Sequence, residues 1–406
     1  MSAEPGSRRA RSRLPWRLLA QALGLATLGA LAVPGCGVTT AGAPSALVSS
    51  ATVRASLATS VETSAGSWAT IAMGRLDQPL NTFWQLLFRP PGAVLWSDRA
   101  SALAVATNGG LIMVARRGSS LAIGIRPTNR LDYSPLIVTS DASSWLPAGP
   151  IGALADEPDA LAVAEDGEAM ALVGDGKVTR VFASPGGLAS WRQLVSESGL
   201  ATSQAGRGCG LVSLTAVGFA AGNGLIGASC RRAGIVGLFS EHEGSWRLFG
   251  PRLPHTLGHL SAEVLGMQPT TSGLCALIGV TGRRSAYLVA ACTSGNRLKW
   301  RVSAPLSLTG PEAVVSFGPA GDLGLYALVS GSARLCMLVV LSESDMSWRA
   351  LPSPPAQTAT AVFAPTGRVD ALVVDDTLLT DWRLLGGARW KTVQELHVAI
   401  QFGSSS

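Results

Sequence analysis

The chain has 406 residues, of which 47% are hydrophobic and 14% are charged. Its formal net charge is +6, but residues 1–35 hold five Arg against one Glu, so the remainder carries a charge of only about +2. That remainder has no long basic run interleaved with aromatic residues, and we therefore expect no nucleic-acid partner.

The N-terminus has the layout of an export signal. A cationic stretch, Arg8–Arg17, precedes an apolar stretch, Leu18–Val33, and then Val33-Pro34-Gly35-Cys36. This last segment resembles a bacterial lipobox, which implies cleavage after residue 35 and a lipid on Cys36. An uncleaved anchor stays open as an alternative, although sixteen apolar residues are fewer than the ~20 of a membrane span.

The organisation expected from this N-terminus has three parts. Residues 1–35 form a signal peptide, residues 36–62 form a flexible tether rich in Thr, Ala, Ser and Gly, and residues 63–406 form the folded domain. We expect an extracytoplasmic protein that is anchored to a bacterial membrane by its lipid.

Tryptophan recurs through the predicted domain. The intervals between successive members are 61, 46, 55, 54, 48 and 42 residues. Several members share a Ser-Trp-Arg frame. Such a repeat indicates stacked units of about 50 residues. The members are Trp84, Trp145, Trp191, Trp246, Trp300, Trp348 and Trp390.

Each interval also holds an apolar run that ends in a glycine turn, such as Ala162–Gly167 or Ala361–Gly367. Asp-Gly and Asn-Gly between apolar runs favour hairpins. Two further apolar runs and the Trp strand follow, which gives four short strands per unit. One such unit cannot bury both of its faces, so the pattern predicts an all-β fold, a single β-propeller.

The repeat predicts seven four-stranded blades, with six or eight left open. His397–Phe402 has the pattern of a first strand, whereas no first strand is recognisable before Trp68–Met73. We therefore expect the ring to close by pairing of N- and C-terminal strands within one blade, which would remove exposed sheet edges.

The segments before the Trp strands resemble the Asp-box turn, Ser-x-Asp-x-Gly-x-Thr-Trp, of sialidase-like (BNR-type) propellers. Degenerate copies are Thr139–Trp145, Ser240–Trp246 and Ser342–Trp348. A sialidase would also need three Arg residues, a Tyr nucleophile and an Asp. Phe88-Arg89-Pro90-Pro91 is loosely similar to the segment that carries the first Arg, and the other members of that set are not found.

Three arginine pairs stand out as candidate ligand-binding residues. We expect each pair to lie between the second and third strands of a unit, on one face of the propeller. Guanidinium groups bind carboxylates and phosphates in bidentate fashion, so an anionic ligand is one interpretation and solvated turns are the other. The pairs are Arg116–Arg117, Arg231–Arg232 and Arg283–Arg284.

Five cysteines lie beyond Cys36, and export permits disulfides. Two apolar runs read as a hairpin that sets Cys275 opposite Cys292, which predicts a bridge. A bridge between Cys209 and Cys230 is a second expectation, and Cys336 is then left free and buried.

These features predict a non-catalytic binding module at the cell envelope. Its expected partners are the membrane, through the lipid, and an envelope protein or an anionic ligand. We expect a monomer with no catalytic residues, no metal and no cofactor. The alternative is an extracytoplasmic hydrolase or lyase whose site lies at the mouth of the propeller channel.

Overall fold

The computed structural model describes residues 60–74, 82–98, 111–115, 121–125, 136–139, 144, 146–147, 158–174, 178–186, 188–220, 222–270, 273–283, 285–294, 297–308, 313–321, 324–330 and 336–398. The predicted signal peptide, Cys36 and the tether up to residue 59 lie outside these residues. Within the part of the chain described, no helix is both long enough and apolar enough to cross a bilayer.

Nearly all of the described chain is antiparallel sheet, in units of four strands that pair in sequence order. The first sheet consists of β1 (Ser60–Thr63), β2 (Gly66–Gly74), β3 (Thr82–Arg89) and β4 (Ser97–Asp98). The next two consist of β5 (Leu111–Ala115), β6 (Leu121–Ile125), β7 (Leu136–Thr139) and β8 (Leu146–Pro147), and of β9 (Ala160–Val163), β10 (Ala169–Gly174), β11 (Thr179–Ser184) and β12 (Arg192–Ser196).

Two four-stranded units follow that share one nine-stranded sheet, because β14 also pairs with β17. They consist of β13 (Leu211–Ala220), β14 (Asn223–Cys230), β15 (Gly237–His242) and β16 (Ser245–Leu248), and of β17 (Ser261–Thr270), β18 (Gly273–Thr281), β19 (Ala286–Ser294) and β20 (Arg297–Val302). A short strand, β21 (Leu306–Leu308), pairs with β19.

Two four-stranded sheets complete the described chain. The first holds β22 (Ala313–Pro319), β23 (Gly324–Ser330), β24 (Cys336–Ser342) and β25 (Ser347–Ala350). The second, called the last sheet below, holds β26 (Thr358–Phe363), β27 (Val369–Asp375), β28 (Leu378–Leu385) and β29 (Arg389–His397).

The inner strands of these units are buried on both faces. Every residue of β23 is buried, and so are seven of the nine residues of β18. This explains why their sequences are continuous apolar runs without the alternation of a sheet that faces water. A unit with two apolar faces needs a neighbour on each side.

Neighbouring units supply that cover. One apolar cluster joins Met170 and Leu172 to Ile226 and Phe239, and another joins Leu277 and Leu288 to neighbours on β22–β24. The first strands β1, β5, β9, β13, β17, β22 and β26 contact one another in that order, and β26 contacts β1 again. Radially stacked four-stranded units in cyclic order are a β-propeller.

The predicted glycine turns join first and second strands. Gly167 and Gly367 have φ angles of 93° and 81°, which a residue with a Cβ rarely adopts, and each amide donates to the carbonyl three residues earlier. In the β13–β14 turn the left-handed residue is Gly222, and Asn223 and Gly224 already belong to β14.

The repeated tryptophans lock successive units together. The indole N–H of Trp300 donates to the carbonyl oxygen of Phe249 at 2.7 Å, and that of Trp348 donates to the hydroxyl of Ser303 at 3.1 Å. Each acceptor follows the fourth strand of the preceding unit. Trp390 repeats the contact with the carbonyl of Pro352. The half-buried rings therefore place their polar tips at the boundary between units.

The structure corrects the first member of the tryptophan repeat. Trp84 lies in β3, the third strand of its sheet, whereas Trp96 directly precedes the fourth strand, β4. Trp96 occupies the position of Trp191 before β12. The sequence pattern does not reveal the first strand of this sheet, β1, because that strand is short and partly polar.

We expected N- and C-terminal strands to pair within one blade, but the structure places β1 and β29 in two different sheets. Ser60–Thr63 supplies the first strand that was not recognisable in the sequence, so the first sheet has four strands of its own. His397 ends β29, the fourth strand of the last sheet. Residues 399–402 lie outside the described residues. Within the described residues, side chains join the first and last sheets.

Two short helices depart from the all-β expectation. They are α1 (Glu197–Thr202) and α2 (Gln204–Cys209), and they connect β12 to β13. The hydroxyls of Ser196 and Ser203 accept from backbone amides at the two N-termini, which satisfies donors that a helix start leaves unpaired. Leu200 packs into the adjacent core.

Replacing Trp300 by Phe keeps most of the buried ring and removes the hydrogen bond to Phe249. We expect the free energy of unfolding to fall by about 1 kcal/mol, measured by urea denaturation. Lys299→Ala, at the exposed neighbouring position, serves as control and should change stability by less than about 0.5 kcal/mol. Equal losses in both variants would contradict a locking role for the indole.

Candidate functional site

Two disulfides stabilise the two units that share the nine-stranded sheet. Cys275 and Cys292 face each other on β18 and β19 and are bonded, with Cα atoms 4.0 Å apart. Cys209 is bonded to Cys230, which ties α2 to the end of β14. Cys336 on β24 is buried, as expected, but the expectation that it is a free thiol is not met.

Exposed arginines gather near the bridge between α2 and β14. Arg231 and Arg232 connect the second and third strands of their unit, and Arg283 follows β18 at the equivalent connection of the next unit. Two further exposed arginines, Arg207 on α2 and Arg252 between β16 and β17, were missed by sequence reasoning. We call the exposed Arg207, Arg231, Arg232, Arg252 and Arg283 the basic face.

Backbone contacts join the segments that carry Arg207, Arg231, Arg232 and Arg252. The amides of Arg231 and Arg232 donate to the carbonyls of Gly210 and Cys209 at 2.9 and 3.0 Å. Gly234 extends these contacts to the segment that carries Arg252. Its amide donates to the carbonyl of Leu260, and its carbonyl accepts from the amide of Leu253.

The four segments that form this surface contain no Asp or Glu. They are residues 203–210, 231–236, 250–260 and 282–285. All four connect either the second to the third strand of a unit or one unit to the next, and the antiparallel order places such connections on the same side of the propeller. The basic face is thus a concentration of positive charge in a nearly balanced chain.

Three of the six predicted arginines fall outside the described residues. Arg116 and Arg117 lie in the stretch that joins β5 to β6, the first and second strands of their described sheet. That connection differs from the one that carries Arg231 and Arg283, contrary to the expected equivalence. Arg284, the third of these residues, directly follows Arg283 in the sequence. Whether the three pairs bind one ligand stays a prediction.

A second charged group is buried where the first sheet meets the last. Arg89, at the end of β3, places its Nη2 atom 2.7 Å from Asp370 on β27 and its Nη1 atom 3.8 Å from Asp381 on β28. Arg383 and Arg368 also contact Asp370, at 2.7 and 3.3 Å. We call these five residues the ion cluster.

The indole of Trp96 completes the ion cluster. Its N–H donates to Asp381 at 3.0 Å, and the Arg89 guanidinium lies 4.0 Å from the ring centre, which adds a cation–π contact. The backbone amide and carbonyl of Trp96 both bond the side-chain amide of Gln394 on β29. These contacts hold the first sheet to the last.

Burial sets the protonation of the ion cluster. Arg89, Asp370 and Asp381 are at most 1% exposed. Desolvation, together with the neighbouring charge of Asp370, raises the pKa of Asp381 to about 7, although Arg89, Arg383 and the Trp96 N–H act in the opposite direction. Desolvation also lowers the pKa of Arg89, against the attraction of Asp370.

The segment that is loosely similar to a sialidase motif does not have the required environment, and Tyr326 does not have that of a nucleophile. Arg89 is buried and faces Asp370, so its guanidinium is not presented to a substrate carboxylate. The hydroxyl of Tyr326 donates to the carbonyl of Gly367, and burial raises the pKa of this phenol, which disfavours a nucleophilic phenolate. Among the described residues, no group of three or more His, Cys, Asp or Glu side chains is arranged to hold a metal ion.

No family model and no curated protein matches the sequence. Solved structures with a similar fold include YCF48 bound to a D1 peptide, at 13% identity and a TM-score of 0.42 over 86% of this chain and 95% of that one. A fungal lectin from Aleuria aurantia, described as a six-bladed β-propeller, is similar at 12% identity and a TM-score of 0.41 over 74% of this chain and 95% of its own.

A protein from Lactobacillus plantarum is similar at 11% identity and a TM-score of 0.44, over 69% of this chain and 82% of that one. Likenesses at this level carry no conclusion about the ligand or the activity of this chain.

The raised pKa of Asp381 predicts how stability depends on pH. Its folded-state pKa of about 7 exceeds the ordinary 3.8, so only the folded protein holds this proton between those values. The contribution of Asp381 to the free energy of unfolding therefore falls by about 1 kcal/mol per pH unit as the pH rises from about 4 to about 7. Asp381→Asn retains an acceptor for Trp96 and should lose this component in urea denaturation at several pH values.

Asp376→Asn is the matched control, because Asp376 is exposed and already adopts a φ of 53°, which Asn tolerates. We expect its pH dependence to follow that of the unmodified protein. An unchanged pH dependence in Asp381→Asn would contradict the assignment of this proton to Asp381.

Proposed function

We propose that this chain is an exported, lipid-anchored β-propeller that binds an anionic partner through its basic face, without catalysing a reaction. The observation that carries the proposal is the cluster of exposed arginines on one side of two neighbouring units, in segments that contain no carboxylate. Exposed guanidinium groups bind carboxylates and phosphates bidentately.

The scaffold suits this role because it holds the arginines on rigid elements. The disulfide between Cys209 and Cys230 ends directly before Arg231. Backbone hydrogen bonds then fix Arg231 and Arg232 against the end of α2. A surface organised in advance loses less conformational entropy on binding than a flexible one.

An enzymatic role lacks comparable support. The described carboxyl group with a strongly raised pKa is Asp381, and it is buried and paired between two sheets. An acid of this kind would favour an enzyme if it faced an open pocket. Its partners Arg89 and Trp96 instead connect the first sheet to the last.

The proposal includes seven blades. The cyclic contacts of seven first strands, from β1 through β26 and back to β1, support this number, as does the recurrence of Trp in or directly before the fourth strands. We further propose that the repeats are of the sialidase-like type. Asp345 supports this, because its carboxylate accepts from the amide and the hydroxyl of Ser347 just before Trp348.

The lipid anchor is the part of the proposal that sets the location. Its support is the Val33–Cys36 segment after an apolar stretch with a cationic start. Cys36→Ser should abolish incorporation of labelled palmitate and move the protein from the membrane fraction to the soluble fraction. If neither the unmodified protein nor Cys36→Ser incorporates label and both stay in the membrane fraction, an uncleaved anchor is the explanation.

Binding through the basic face is tested by removing three of its charges. The variant with Arg231, Arg232 and Arg283 replaced by Ser should bind immobilised polyglutamate at least about tenfold more weakly, because each arginine contributes a charge-assisted hydrogen bond. The same variant should lose partners that are cross-linked to the unmodified protein in intact cells.

The matched control replaces three exposed arginines on fourth strands, Arg192, Arg247 and Arg349, by Ser. The control has the same net charge as the first variant and should retain most of the binding. Equal loss in both variants would mean that net charge, and not the basic face, determines binding.

A further inference from the structure

The two sides of the propeller carry opposite charges around the basic face. The antiparallel order places the turns that join first to second strands, and third to fourth strands, on the side opposite the basic face. Exposed acids lie at these turns, Glu165 and Asp166 between β9 and β10, and Glu241 and Glu243 at the β15–β16 hairpin. The units around the basic face therefore present arginines on one side and carboxylates on the other.

An exposed apolar side chain adjoins the basic face. Val212, the second residue of β13, is 48% exposed. Leu211, the residue before it, pairs with Cys230, which directly precedes Arg231. The headgroup region of a bilayer accepts basic and apolar side chains together. A soluble polyanion offers no contact to an apolar side chain, so these neighbours favour a membrane surface.

The strand β1 runs away from the side that carries the basic face. First strands start on that side, as β13 shows through the pairing of Leu211 beside Arg231, and β1 has the same place in the strand order of its sheet. Cys36 precedes Ser60 by 24 residues. A flexible coil of that length spans about 27 Å, whereas a strand of ten residues, such as β13, is about 33 Å long. A lipid on Cys36 would therefore hold the membrane near the basic face.

We propose that the anionic partner of the basic face is the membrane surface to which Cys36 attaches the chain, and that the arginines bind phosphate groups of anionic phospholipids. This inference rests on the proposed function and assigns its site to one partner. Each arginine near an anionic bilayer strengthens binding about fivefold. The tether keeps the basic face close to the bilayer, so that weak contacts suffice.

The remaining charges predict how the propeller lies on the bilayer. The carboxylates on the opposite side are repelled by an anionic surface, so docking selects the side with the basic face. Two exposed acids, Asp375 and Asp376, also lie at a connection between second and third strands, but the sheet of β22–β25 separates them from the basic face. Their repulsion would tilt the propeller, with the units of the basic face closest to the lipid.

The first test measures how accessible the arginines are on vesicles. The full lipidated chain is reconstituted in vesicles of phosphatidylcholine, with or without phosphatidylglycerol, and treated with phenylglyoxal, which modifies exposed guanidinium groups. Mass spectrometry should show that Arg231, Arg232 and Arg252 react at least about fivefold more slowly on the anionic vesicles. This protection should vanish in about 1 M sodium chloride, where the Debye length is about 3 Å.

Arg192 and Arg349, which are exposed on fourth strands, serve as internal references and should react at similar rates on both kinds of vesicle. Equal rates for the basic face on both kinds of vesicle, or a chain that attaches to neither, would overturn the proposal. Protection in intact cells without protection on anionic vesicles would assign the basic face to an acidic protein and would also overturn it.

A second test reads the orientation directly. A polarity-sensitive fluorophore on Val212→Cys should shift its emission to the blue on anionic vesicles. The matched control is the same fluorophore on Leu95→Cys, because Leu95 is 55% exposed between β3 and β4, on the opposite side, and its emission should not change. A blue shift at Leu95 and none at Val212 would contradict the proposed orientation.

Polyglutamate binding separates failure of membrane docking from failure of anion binding. If the chain binds polyglutamate through Arg231, Arg232 and Arg283, but its arginines are not protected on anionic vesicles, the lipid surface is not the partner and anion binding by the basic face stands. If neither result is obtained, both proposals are wrong.

Discussion

The structure depends on one constraint, which is that each four-stranded unit is apolar on both faces. Strands such as β23 are buried throughout, so a unit is stable only between two neighbours. A linear stack would leave its two end units uncovered, whereas a ring leaves none. The indoles of Trp300, Trp348 and Trp390 reinforce the boundaries, because each donates to the chain that leaves the preceding unit.

The boundary between the first and last sheets is stabilised by more than apolar contacts. Apolar residues such as Ile71 and Val374 meet there as at other boundaries, but the ion cluster and Trp96 add buried charges and directional hydrogen bonds. Breaking a buried ion pair leaves an uncompensated charge, which makes such a contact specific as well as costly to lose. The two chain regions joined here are far apart in sequence, so specific pairing determines which sheets meet.

Arginine has two opposite roles in this chain. On the basic face the guanidinium groups of Arg231, Arg232 and Arg283 are exposed, and the segments around them hold no carboxylate, so they are available to a partner. In the ion cluster Arg89 is buried and faces Asp370 and Asp381. Residue type alone does not separate these roles, because burial and the nearest charges decide what a guanidinium group can bind.

The sequence by itself determined the four-stranded repeat, most of its strands and the glycine turns, because these follow from local patterns. Apolar runs, Gly167 and Gly367, and the spacing of tryptophans act within one unit. It also indicated the Cys275–Cys292 pair, since a hairpin sets its register locally. Only the tertiary structure decided that Trp96 and not Trp84 belongs to the repeat, and that Arg89 meets Asp370 across 281 residues of chain. Contacts between distant segments depend on how the sheets stack, and no local pattern of residues specifies them.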